Sequence, residues 1–128
     1  AKDATYTSVP VLGTITAGTP VFAYESIEDY FPLPVNFSSS EDLFILKVSG
    51  DSMINAGIND KDMVIVKKQN DAENNAIVVA MIEDSATVKR LKKSKKQVYL
   101  MPENPVYEPI YPEKLEILGT VIGLIRKF

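Results

Sequence analysis

The sequence predicts an all-β (mostly β) fold, built as curled antiparallel sheets or a partly closed barrel. About eight short apolar or β-branched segments alternate with turn-rich stretches, and no segment has the pattern of a long helix. A length of 128 residues is enough for one domain with a hydrophobic core, and no internal repeat is visible. We therefore expect residues 1–128 to form a single domain.

The first third of the chain contains few regular elements. Residues 1–8 are small and polar and form a leading segment, whereas residues 9–16 are rich in β-branched side chains and are predicted to be extended. Glycine and proline within residues 17–20 break this strand and predict an exposed, protease-accessible loop. Residues 25–31 could form one helical turn before two prolines, and the serine-rich residues 36–42 predict a surface loop.

The remaining two thirds predict a succession of strands. Each segment is short, apolar or β-branched, and bounded by polar turns, and the segments near positions 90 and 100 form a hairpin. The last segment is interrupted by glycines and represents one or two strands. The predicted strands are residues 43–46, 62–67, 76–82, 86–91, 97–101 and 115–125.

Composition excludes several kinds of chemistry. The chain has no cysteine and no histidine, so disulfides, thiolate nucleophiles, zinc–thiolate sites and Ser-His-Asp triads are impossible. A serine nucleophile would need Lys, Asp, Glu or Tyr as its base. No phosphate-binding, dinucleotide-binding or calcium-loop motif is present, and we expect no cofactor and no metal. The net charge of −3 gives no bulk attraction to nucleic acid. Apolar runs fall short of the ~20 residues that span a membrane, and no signal peptide is visible, so we expect a cytoplasmic protein without membrane contact.

The segment Val48–Met53 is the first candidate site. Gly50 permits a sharp turn directly after an apolar strand, and Ser52 follows with its hydroxyl directed outward. Nucleophilic serines of unrelated folds lie on such turns. The alternative is a structural serine that caps a helix or stabilises an Asx-type turn.

Lys89 is a second candidate. In a strand it shares one face with Thr87 and Leu91, although alternation alone does not decide which face is buried. Most lysines are exposed, and four lysines and one arginine lie close by. These residues, Arg90, Lys92, Lys93, Lys95 and Lys96, could form a nucleic-acid patch, but a solvated hairpin is the better interpretation because no aromatic residues are interleaved. The carboxylates are scattered and form no persuasive acid–base pair.

Several segments together resemble the LexA-type self-cleaving repressors. Residues 49–58 (SGDSMINAGI) are similar to the nucleophile segment of that family, and residues 76–91 to its general-base segment. Residues 9–18 resemble its cleavage region, residues 30–34 (YFPLP) are a further similarity, and residues 102–105 with 118–123 match its C-terminal part. The resemblance covers the chain from about residue 9 to 125, and the 37 positions between Ser52 and Lys89 suit the family.

This resemblance implies a serine endopeptidase that cuts its own chain. Ser52 would attack the carbonyl carbon of Ala17, and uncharged Lys89 would act as general base and then as acid toward the amine of Gly18. The cleavage region would be residues 9–24, with Ile15 and Thr16 docking the bond. The backbone N–H groups of Asp51 and Ser52 would form the oxyanion hole. A lysine has a pKa near ~10.4, so this role requires burial to lower it substantially.

The resemblance also implies partners. The family dimerises through strands equivalent to residues 115–125, is stimulated by a RecA filament on single-stranded DNA, and binds operator DNA through an N-terminal helix-turn-helix domain that would precede Ala1. This chain would then be the C-terminal part of an SOS-response repressor. Two turn positions depart from the family, because relatives often have glycine at Lys61, and glycine then an acid at Asn75-Ala76.

Two alternatives stay open at this point. The same fold serves as a cleavable polymerase accessory subunit or a phage repressor, and the missing N-terminal part would distinguish them. A non-enzymatic β-rich interaction module with a fortuitous serine and lysine is the other alternative, and chemical labelling of Ser52 would test it.

Overall fold

The computed structural model describes residues 6–13, 15, 26–34 and 42–128. Eight strands, with a short 3-10 turn at Ile54–Ala56, are the main regular elements of this part of the chain. No helix among the described residues is long and apolar enough to cross a membrane. The strands are β1 (Tyr6–Leu12), β2 (Ile27–Pro34), β3 (Leu43–Lys47), β4 (Met63–Lys68), β5 (Ile77–Ile82), β6 (Ser85–Lys93), β7 (Val98–Met101) and β8 (Glu116–Ile125).

The predicted all-β class is confirmed. The described strands form one open sheet in the order β2-β1-β3-β4-β8-β5-β6-β7. All neighbouring pairs of this sheet are antiparallel except β1 and β3, which pair in parallel through Val11–Ile45 and Leu12–Leu46. The sheet is therefore mixed, whereas the sequence predicted antiparallel pairing. The glycine-punctuated segment forms a single strand, β8, which joins β4 on one side to β5 on the other.

The largest hydrophobic cluster spans both halves of the sheet. Its buried members come from β1, β3 and β4 on one side and from β5 and β6 on the other. Phe44 and Leu12 are the largest completely buried side chains, and Ile15 and Met53 also belong to this cluster. The strand that precedes the candidate nucleophile turn is therefore anchored in the centre of the molecule.

The predicted helical turn at residues 25–31 is wrong for residues 27–31. Residues 27–34 form β2, which pairs with β1 along its whole length. Pro32 and Pro34 are tolerated because β2 is an edge strand, where a missing N–H breaks no ladder on the outer side. β1 also begins at Tyr6, within the predicted leading segment. The predicted loop at residues 17–20 lies outside the described residues, as does most of the loop at residues 36–42.

Both departures from the resembled family fall on turns with left-handed backbone. Lys61 has φ 74° and Asn75 has φ 77°, a region in which glycine is favoured. Gly50 and Gly57, at φ 94° and 84°, occupy the same region on either side of Ser52. The expected effect of the departures on local turn geometry therefore has a physical basis, because a lysine side chain is strained at such a position.

Candidate active site

Ser52 lies on a tight turn that begins where β3 ends. The positive φ of Gly50 makes the turn, as the sequence predicted, and the Gly50 N–H donates to Asp60 Oδ1 at 2.7 Å. The 3-10 turn that follows is preceded by Met53 and has no side-chain cap, so the helix-capping alternative for Ser52 is not supported. Ser52 itself is half-buried. Its position is therefore set by the backbone of this turn and by the hydrogen bonds that the turn makes.

A second loop, residues 59–62, is hydrogen-bonded to the start of this turn. The Val48 N–H donates to the Asp62 carbonyl oxygen, and the Lys61 N–H donates to the Val48 carbonyl oxygen, both at 2.8 Å. Asp62 is only 2% exposed, and its carboxylate accepts from Arg126 Nε at 2.8 Å, from Arg126 Nη2 at 2.7 Å and from the Asn59 N–H at 2.7 Å. The hydrogen bond from Arg126, followed by that from Asn59, lowers the pKa of Asp62 despite burial. The charged Asp62 carboxylate, hydrogen-bonded through both oxygens, thus holds in place the loop that is bonded to Val48. Val48 begins the candidate nucleophile turn, residues 48–53, which is called the nucleophile turn below.

Lys89 is buried, with 9% of the residue exposed. It lies on β6 between buried Val88 and half-buried Arg90, and its Nζ donates to Thr87 Oγ1 at 2.5 Å. Burial lowers the pKa of Lys89 from its usual 10.5, because desolvation disfavours the ammonium form. Val88, on the opposite face of β6, is also buried, so both faces of the strand are covered at Lys89, which alternation alone could not predict.

One cavity of about 220 Å³ brings the two candidates together. Ser52 and Lys89 both line it, together with Ile15 from the predicted cleavage region and Thr87. No hydrogen bond joins Ser52 to Lys89 among the described residues; the lysine amine instead donates to Thr87.

The other predicted site residues are only partly described. Ile15 is 5% exposed and packs in the central hydrophobic cluster. Thr16, Ala17 and Gly18 lie outside the described residues, as does most of the expected cleavage region at 9–24. The backbone N–H groups of Asp51 and Ser52 donate to no acceptor in the described part of the chain.

A third segment, residues 104–107, is hydrogen-bonded to Asp51 in the nucleophile turn, and the sequence predicted no role for it. Asn104 Nδ2 donates to the Asp51 carbonyl oxygen at 2.9 Å, and the Tyr107 hydroxyl donates to Asp51 Oδ1 at 2.5 Å. The neighbouring Asp51 carboxylate raises the pKa of Tyr107, since losing the phenolic proton would remove this bond and create a second negative charge. The only signal in the sequence was the resemblance of residues 102–105 to the family's C-terminal part.

Two further predicted surfaces can be located. On β8, Ile122 and Leu124 are 38% and 39% exposed, so the predicted dimer strand presents apolar side chains to solvent. In the basic hairpin, Lys93, Lys95 and Lys96 are exposed, which agrees with a solvated hairpin. Within the described ranges, no group of three or more acidic side chains is placed to hold a metal ion.

Residues 10–122 match the family described as Peptidase S24-like. The chain belongs to this family of peptidases. It is also similar to proteins named LexA repressor. The identity is 55% over 122 residues with that of Pelotomaculum thermopropionicum, 54% over 119 residues with that of Caldicellulosiruptor saccharolyticus, and 49% over 122 residues with that of Clostridium botulinum.

These matches cover 93–95% of this chain but only 59–61% of each relative. The chain therefore spans about three fifths of the length of the curated repressors it matches. The resemblance to a LexA repressor's peptidase domain is confirmed by these comparisons.

Proposed function

We propose that this chain is the self-cleaving domain of a LexA-type repressor and cuts its own Ala17–Gly18 bond with a Ser52–Lys89 dyad. The observation that carries the proposal is that Ile15 lines the same cavity as Ser52 and Lys89. Ile15 belongs to the cleavage region that the resemblance implies, so a described residue of that region contacts the cavity that holds both reactive groups.

The burial of Lys89 supports its role as base. An ammonium group has no lone pair and cannot accept a proton, so the lysine must lose its charge before the reaction. Desolvation favours this loss, and the Thr87 hydroxyl accepts one N–H of the amine. Thr87 thereby restricts rotation of the amine, which leaves its lone pair free for the Ser52 proton.

The reaction then follows from these groups. Ser52 Oγ forms a bond to the Ala17 carbonyl carbon while its proton passes to Lys89 Nζ. The oxygen that becomes negative is stabilised by the backbone N–H groups of Asp51 and Ser52, and Lys89 returns the proton to the Gly18 nitrogen as the peptide bond breaks. Water then hydrolyses the resulting ester to release Ser52.

The similarity to LexA repressors supports a regulatory setting for this chemistry. We infer that the domain works in a cytoplasmic SOS-response repressor that dimerises through residues 115–125. The exposed Ile122 and Leu124 supply apolar area for such an interface. A RecA filament on single-stranded DNA would stimulate cleavage by favouring the docked cleavage loop. Operator DNA would be bound by the N-terminal helix-turn-helix domain that the resemblance implies, and cleavage would end repression.

The proposal is tested by incubating the purified chain from neutral to strongly alkaline pH and measuring its intact mass. We expect two fragments, residues 1–17 and 18–128, at a rate that is independent of protein concentration and rises about ten-fold per pH unit until Lys89 is uncharged. Ser52→Ala and Lys89→Arg are expected to stay uncut. Ser94 and Lys95, both exposed, provide matched controls, and Ser94→Ala and Lys95→Arg should cleave like the parent.

Two results would contradict the proposal. An active Lys89→Arg chain would exclude the lysine base, because arginine stays protonated. A parent chain that stays intact at every pH, both alone and with activated RecA filament, would favour a non-enzymatic interaction module.

A further inference from the structure

The loop after β7 is attached to the nucleophile turn through its backbone. The Glu103 N–H donates to the Ser52 carbonyl oxygen at 2.8 Å, and the Asn55 N–H donates to the Glu103 carbonyl oxygen at 2.8 Å. One residue of this loop thus holds both the nucleophile and the turn that follows it. Because the first of these bonds acts on Ser52 itself, a displacement of Glu103 is transmitted directly to the serine backbone.

The side chain of the same residue reaches the strand that carries Lys89. Arg90 Nε donates to Glu103 Oε2 at 2.9 Å, and both side chains are 27% exposed. Arg90 is also fixed from its other side, since its Nη1 donates to the Asn75 carbonyl oxygen at 2.6 Å. Arg90 is thus held by two hydrogen bonds in a partly buried ion pair. The geometry of such a pair is more restricted than that of an ordinary surface ion pair.

The need for such a link follows from the topology. Ser52 follows β3, which lies in one half of the sheet, whereas Lys89 lies on β6 in the other half. The hydrogen-bond ladders between these strands run through β4, β8 and β5, so errors in their relative position accumulate over several strand pairs. Glu103 makes a direct connection between the neighbour of the lysine and the serine.

We propose that Glu103 is a positioning residue that sets the distance between Ser52 and Lys89 by joining Arg90 to the nucleophile turn. This inference rests on the proposed self-cleavage for its kinetic consequence, but the mechanical link exists independently of it. Among the described residues Glu103 makes no hydrogen bond to the lysine amine, and its effect is transmitted through the Ser52 backbone and through β6.

The kinetic test compares cleavage rates at strongly alkaline pH, where Lys89 is uncharged and the rate no longer depends on pH. We expect Glu103→Ala to lower this limiting rate about ten-fold or more without moving the pH midpoint, because a misplaced nucleophile reacts slowly whatever the state of its base. Glu103→Gln keeps an acceptor for Arg90 Nε and should restore the rate to within about three-fold of the parent.

Lys93 supplies the matched control. It lies on the same strand and pairs with Asp71 at 3.0 Å, away from the nucleophile turn. Lys93→Ala should therefore leave the limiting rate unchanged. An unchanged rate in Glu103→Ala, or an equal loss in Lys93→Ala, would overturn the positioning role.

A second measurement does not need cleavage. In the Ser52→Ala background, the link predicts that Arg90→Gln speeds hydrogen exchange at the Asn55 and Glu103 amides by about ten-fold or more. The Leu100 amide, which donates to the Ile110 carbonyl oxygen at 2.9 Å, is the reference and should not change. Unchanged exchange at Asn55 and Glu103 would overturn the link even if the parent cleaves. A parent that never cleaves would overturn the proposed function alone.

Discussion

Replacing Lys61 by glycine should stabilise the domain. Lys61 is exposed and has φ 74°, where a side chain with a Cβ atom is strained by roughly 1–2 kcal/mol. Glycine removes that strain but gains about 0.5–1 kcal/mol of unfolded-state entropy, which leaves a net gain of about 0.5–1 kcal/mol. At about 2.1 cal/mol/K per residue, a chain of 128 residues should then melt about 2–4 °C higher. The Lys61 N–H that binds the Val48 carbonyl oxygen is kept in the variant.

Thermal unfolding followed by circular dichroism measures this gain, with two comparison variants. Lys67→Gly removes an exposed lysine from strand backbone on β4, where no such strain exists, and should lower the melting temperature. Asn75→Gly should gain less than Lys61→Gly, because asparagine tolerates the left-handed region and its Oδ1 accepts from Lys92 Nζ at 2.6 Å. If Lys61→Gly lowers the melting temperature as much as Lys67→Gly, the strain argument is refuted.

Three further predictions concern Lys89 and β8. Burial lowers the pKa of Lys89, so the unfolded chain binds more protons than the folded chain between the folded pKa and 10.5. The free energy of unfolding, measured by urea titration, should therefore rise with pH in that window. This rise should be absent in Lys89→Met. Gly119→Ala should lower the unfolding free energy by about 1–3 kcal/mol in the same assay, because its Cβ would lie 2.5 Å from the Lys67 carbonyl oxygen; no change would show that β4 and β8 separate freely. Thr120 Oγ1 is buried without a hydrogen-bond partner among the described residues, so Thr120→Val should raise the melting temperature, and a fall would reveal a partner for the hydroxyl.

The strands were predictable from the sequence where the local residue pattern determines the extended conformation. The apolar runs at residues 43–46 and 76–82 became β3 and β5 nearly unchanged, and the left-handed turn at Gly50 followed from the residue type. β2 was missed because its extended form depends on pairing with β1, not on local propensity. The parallel pairing of β1 with β3 likewise depends on partners distant in the chain.

The residues of the candidate site were predictable from the sequence, but the hydrogen bonds that hold them in place were not. Lys89 was a candidate from its place in a predicted strand, and the resemblance implied its role, yet only the packing of the folded sheet shows that it is buried. The bonds of Glu103 and Asn104 to the nucleophile turn join residues about fifty positions apart, and no local pattern encodes such contacts. The ion pair between buried Asp62 and exposed Arg126 joins residues 64 positions apart and was missed for the same reason.

The place of β8 has a consequence for protein synthesis. β8 comes after the other described strands in the chain, yet it is the strand through which the half bearing Ser52 is hydrogen-bonded to the half bearing Lys89. While the chain is still emerging from the ribosome, Ser52 and Lys89 therefore have no shared sheet to hold them in register. If the proposed self-cleavage is correct, we expect nascent chains stalled before residue 116 to stay intact at alkaline pH.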